Sequence, residues 1–157
     1  MPVTTRDTLG GMSGQYRGVS RLDPGDPMAK SVSERLETEH VAWLTTVSAT
    51  GTPQTSPIWF LWNGEDILIY SLESARTRNI RSNPRVSFNF DGNGSGGDIV
   101  VIEGDASISD VSPTDEERLL YLEKYKPTMD SYGWTIDDFS KKYKVPVRIA
   151  PTKFRYW

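Results

Sequence analysis

Four arginines, Arg76, Arg78, Arg81 and Arg85, fall within ten residues of a chain whose net charge is -3. They follow an apolar run, Ile67 to Tyr70, and two serines, Ser71 and Ser74, and no acid lies among them. A strand that delivers a serine-capped helix start bearing arginines suits a phosphate. The free N–H groups of the first helical turn point at the anion, and the helix dipole adds to the attraction. Arginine contributes a planar fork of donors that matches phosphate oxygens in pairs. Read alone, the same run is equally compatible with a solvated surface helix that Ser74 caps.

The rest of the composition narrows the chemistry. With no cysteine, disulfides, thiolate metal sites, Fe–S ligation and cysteine nucleophiles are excluded. A Ser–His–Asp triad would have to use His40, the only histidine, and a zinc site would need its other ligands from carboxylates. An enzyme so poor in reactive side chains borrows its reactivity from a cofactor. Mild acidity argues against a nucleic-acid partner, and no apolar run reaches the roughly 20 residues that span a bilayer. A cytoplasmic protein is expected, with five Trp and seven Tyr to build a core or a stacking site.

These residues need elements to position them. Residues 1–27, rich in Gly, Thr, Ser, Asp and Pro, read as a disordered tail, and 28–157 as one folded domain. A helix over Val32–Glu39 hands over to a strand at Val41–Ser48. Pro53–Trp62 forms the return strand, and Asn63-Gly64 turns the chain into Ile67–Leu72. Pro57 inside that return strand marks an edge, a bulge or a ligand-facing break. Arg85–Phe90 and Ile99–Ser109 follow, the latter bent at Gly104. A helix then starts near Ser112-Pro113, buries Leu119, Leu120, Leu122 and Tyr125, and ends at Lys126-Pro127. A second helix covers Ile136–Tyr143, and two short strands split by Pro151 close the chain. The expected class is mainly β with flanking helices, a small antiparallel barrel.

Three stretches in this order, WLTTVSATGTPQTSPIWF (Trp43–Phe60), IYSL, and SARTRNIRSNPRVSF (Ser74–Phe88), resemble the pyridoxamine-phosphate-oxidase-like class of flavin- and deazaflavin-binding split β-barrels. The last is similar to that class's A-K/R-T-R-N-L…P-R-V segment, which cradles cofactor phosphate. The ending VRIAPTKFRYW resembles an actinobacterial branch of deazaflavin-dependent reductases. The resemblance covers about Ser33–Trp157 and implies a homodimer with cofactor sites at the subunit interface. It implies phosphate contacts from Arg76 and Thr77 with Ser74 nearby. Ser56, Pro57, Ile58 and Trp59 would border the ring system, and Tyr70 and Ser71 would flank the ribityl chain. The oxidases of the class commonly carry Lys where this chain has Arg76. That difference and the chain's ending favour coenzyme F420 over FMN.

The expected activity is therefore hydride transfer from reduced deazaflavin to an electron-poor small-molecule acceptor, with Tyr70 or water as proton donor. Trp59, Trp62, Tyr70 and Trp134 are the candidates to wall the site. The alternatives are an FMN oxidoreductase of the same fold and a non-catalytic flavin or F420 carrier. A heme carrier would want an axial histidine, and a single-strand nucleic-acid barrel a broader basic face.

Overall fold

A computed structural model of the chain describes residues 16–157. Of the expected tail, residues 1–15 lie outside the described residues. Arg17–Val19, by contrast, forms a strand, β1, paired with the C-terminal end of the chain. The helix α1 (Pro27–Thr38) starts earlier than expected. Pro27 opens it, and the Asp26 carboxylate accepts from the Met28 N–H at 3.0 Å.

The β elements follow the alternation of apolar residues. β2 (Ala42–Val47) buries every second side chain, and Gly51, at φ 87°, turns it into β3 (Pro53–Ile58). β4 (Leu61–Trp62) and β5 (Ile67–Ser71) form the Asn63-Gly64 hairpin. α2 (Ala75–Ser82), β6 (Arg85–Asn89), β7 (Val100–Ile108), α3 (Asp115–Ser131), α4 (Ile136–Lys142) and β8 (Val145–Tyr156) complete the chain. The strands make one antiparallel sheet in the order β3-β2-β6-β7-β8-β5-β4, with β1 also on β8.

Three differences from the sequence expectation have physical causes. The closing pair of strands is one strand, β8, because Pro151 falls at a register shift opposite Gly104. A Cβ on Gly104 would stand 2.6 Å from Ile149 Cγ2 and 2.9 Å from the Ala150 carbonyl, so the crossing needs glycine there. α3 runs through Pro127, because the buried stripe is Tyr121, Tyr125 and Met129, which straddles the proline, while Leu119 and Leu120 face outward. The return strand breaks between β3 and β4, at Trp59 and Phe60.

Two apolar clusters result. One fills the sheet's inner face against α1, around Leu36, Leu44, Phe60, Phe88 and Ile149. The other lies between β5 and the helices α3 and α4, around Leu68, Tyr121, Tyr125, Met129 and Phe139. β5 is buried on both faces since it serves both clusters.

The start of α3 is tied to the sheet by charge. The Arg148 guanidinium donates to both Glu117 oxygens (2.8 and 2.7 Å) and to Asp66 (3.1 Å). Arg148 holds the Glu117 carboxyl at about 2, below the ordinary 4.5. A carboxylate lowered in the folded state stabilises it above its unfolded pKa, and that share is lost as pH falls from about 4.5 toward 2. Glu117→Gln is expected to cost about 1–3 kcal/mol at pH 7 in urea unfolding. The gap to wild type should shrink at pH 3; an equal gap at both values would exclude the ion pair as its source.

Candidate functional site

The site forms where the broken return strand meets the start of α2. β5 ends at Ser71, and Ser74 leads into α2 in extended conformation. This carries Arg76 back across the end of β3. Its Nη2 donates to Ser56 Oγ at 2.6 Å, with the Pro57 carbonyl at 3.4 Å, and Nη1 approaches Ser71 Oγ at 3.4 Å. Among the described residues no carboxylate joins these contacts. Burial pulls the Arg76 pKa down, yet a guanidinium stays charged, so an unneutralised cation is held half-buried here. Arg76 Nε is buried without a hydrogen-bond partner, and the buried Ser74 hydroxyl, which faces the Thr77 N–H as helix cap, has no acceptor for its proton. Buried polar groups are nearly always paired, and exceptions call for a ligand or another cause.

The other arginines do something else. Arg81 forks onto Glu73 (2.6 and 2.9 Å), and this pairing, with help from Thr77, holds the Glu73 carboxyl at about 2. Arg85 pairs with Asp105, and Arg78 is exposed. Glu73, just ahead of the arginine run, thus neutralises one of the four. Thr77 is fully buried. Its hydroxyl accepts from the Ser74 N–H (3.0 Å) and donates to Glu73 (2.9 Å), so it holds the turn and does not line the cleft.

Arg76 and Ser74 stand in a cleft of about 670 Å³ between β3, β5 and the α3–α4 pair. Pro57, Ile58, Trp59 and Tyr70 line it as expected, and Ser56 and Ser71 reach it through Arg76. Trp134 lines it too. Trp62 does not, and packs on the inner core. The sequence reading missed Tyr121, Tyr132, Phe139 and Tyr143, which supply the helical wall. The acidic helix start and its outward leucines drew attention away from the tyrosines of α3.

The break that turns Trp59 into the cleft is pinned from α3. The Tyr125 hydroxyl accepts from the Phe60 N–H at 2.7 Å and donates to the His40 carbonyl at 2.7 Å. Lys124 Nζ donates to the Phe60 carbonyl at 3.1 Å. Trp59 stacks flat on Tyr125, with centroids 4.6 Å apart and planes at 3°. His40 contributes its carbonyl, and its exposed side chain lies away from the cleft lining. Among the described residues no group of three His, Asp or Glu could hold a metal ion. No helix described is long and apolar enough to cross a membrane.

Residues 28–157 match the pyridoxamine 5'-phosphate oxidase family. The chain belongs to that family. Its sheet with flanking helices is the family's split half-barrel, as the similarity to solved structures shows. An FAD-binding protein from Mesorhizobium loti is 20% identical with TM-score 0.62, over 90% of this chain and 96% of that one. An F420 reductase is 26% identical with TM-score 0.57, over 78% and 94%. The heme storage protein HutZ from Vibrio cholerae is 21% identical with TM-score 0.55, over 79% and 89%. No curated protein matches the chain.

Proposed function

We propose that this family member is a coenzyme F420-dependent reductase that passes hydride to an electron-poor organic acceptor. One observation carries the reading. A charged Arg76 without a carboxylate, beside the unpaired Arg76 Nε and Ser74 hydroxyl, heads a cleft whose remaining walls are largely aromatic. One pole thus suits a phosphate and the remainder a planar ring system. A volume of about 670 Å³ is in the range of small-molecule and cofactor sites. The 26% identity to an F420 reductase supports F420 over FMN.

When bound, the deazaflavin supplies a hydride from its ring carbon, and the acceptor takes it together with a proton. The residues of this chain bind and orient. Arg76 and Ser74 hold the phosphate, while Ser56 and Ser71 fix the guanidinium that does so. Pro57, Ile58 and Trp59 border the rings, with no N–H from Pro57 in the way. The aromatic wall keeps the reacting face dry. Tyr70 is our choice for the proton, since its side chain lines the cleft and a phenol carries its proton at neutral pH. We also propose that a second copy completes the site, as the edge strand β3 leaves Pro53, Gln54 and Thr55 exposed and runs into the cleft at Pro57 and Ile58.

Oxidation of reduced F420, followed by its returning absorbance, tests the activity. Turnover with at least one quinone, enone or nitroaromatic acceptor is expected. Tight F420 binding with no turnover across the panel would make the protein a carrier.

A further inference from the structure

Two buried tyrosines stand one turn apart on the same face of α3, and only one uses its hydroxyl. The Tyr125 hydroxyl accepts from the Phe60 N–H and donates to the His40 carbonyl. The Tyr121 hydroxyl is buried without a hydrogen-bond partner, on a side chain that is wholly buried and lines the cleft. Packing does not require that hydroxyl. The Tyr121 ring meets Tyr70 edge-on at 4.8 Å and Tyr125 at 4.9 Å, contacts a phenylalanine ring would keep.

The polar groups around it explain why its proton has no acceptor. The Tyr70 backbone N–H faces the Tyr121 oxygen without bonding it, and it offers the phenol proton no acceptor. The Arg76 guanidinium, which lines the same cleft, also only donates. A molecule seated on Arg76 would bring oxygens that accept. With Arg76 Nε and the Ser74 hydroxyl, the cleft then offers three unpaired buried donors. Tyr70, which meets the Tyr121 ring edge-on, is only partly buried and lines the same cleft, so a small shift of its ring beside a bound ligand would bring the phenol within reach.

We infer that Tyr121 donates a hydrogen bond to an oxygen of the cofactor held at Arg76. This rests on the cofactor reading above. The proton is shared and stays on Tyr121, so the residue binds and takes no part in redox chemistry.

Tyr121→Phe separates this role from a structural one. Thermal unfolding without cofactor, and fluorescence titration with F420 and FMN, are measured for the full chain of both proteins. The inference expects a melting temperature equal to or above wild type, since a buried unpaired group is removed, and a Kd about tenfold weaker. A Kd equal to wild type overturns it. So does a melting temperature several degrees lower, which would mean the hydroxyl has a structural partner. If the wild type binds neither cofactor, the cofactor reading itself fails and this inference with it.

Discussion

Arg76→Ala should weaken coenzyme F420 binding by about 10- to 150-fold, the loss of a charge-assisted contact of ~1.5–3 kcal/mol. The expectation follows from what the guanidinium lacks. Its partners are the Ser56 and Ser71 hydroxyls and the Pro57 carbonyl, none of which neutralises it. A half-buried cation with no counter-ion is costly to the folded state, so alanine there should leave stability unchanged or raise it. Affinity and stability then move in opposite directions, as expected at a binding site and unlike a packing residue. Arg81→Ala is the control. Its charge is committed to Glu73, and the exposed pair contributes little, so F420 affinity should barely change. Equal losses in both variants would mean that diffuse positive charge does the binding.

The largest stability effect is expected from Tyr125→Phe, about 2–4 kcal/mol. The substitution keeps the ring, its stack on Trp59 and the apolar contacts of α3. It removes the oxygen that serves the Phe60 N–H and the proton that serves the His40 carbonyl, leaving backbone groups unpaired. For a chain of this size the melting temperature should fall by about 5–15 °C. A drop under 2 °C would show that water takes over the freed groups. Set beside Tyr121→Phe, the change removes the same atom type one turn away with the opposite expected sign. That contrast separates paired from unpaired hydroxyls within one helix.

Much of the barrel could be read from the chain because its signals are local. Alternating burial in β2, the Asn63-Gly64 turn and the start of α2 each depend on a few adjacent residues. Arg76 and Ser74 could be picked out for the same reason. What the sequence hid is set by distant partners. Glu73 claims Arg81 and Thr77 only once the turn before α2 brings them together. Pro127 looks like a helix stop until the stripe Tyr121, Tyr125 and Met129 is seen to bury against the sheet on both sides of it. Pro151 looks like a strand boundary until Gly104 is found opposite it. The helical wall of the cleft comes from residues more than forty positions beyond Arg76, and no spacing rule links them.

The central claim is that the Arg76 pole and its aromatic cleft hold a deazaflavin by its phosphate. The most direct test is a fluorescence titration of the wild-type protein with F420 and FMN in parallel. Micromolar or tighter binding of F420, with FMN at least tenfold weaker, is the predicted result. FMN binding tighter than F420, or no saturable binding of either, would contradict the account.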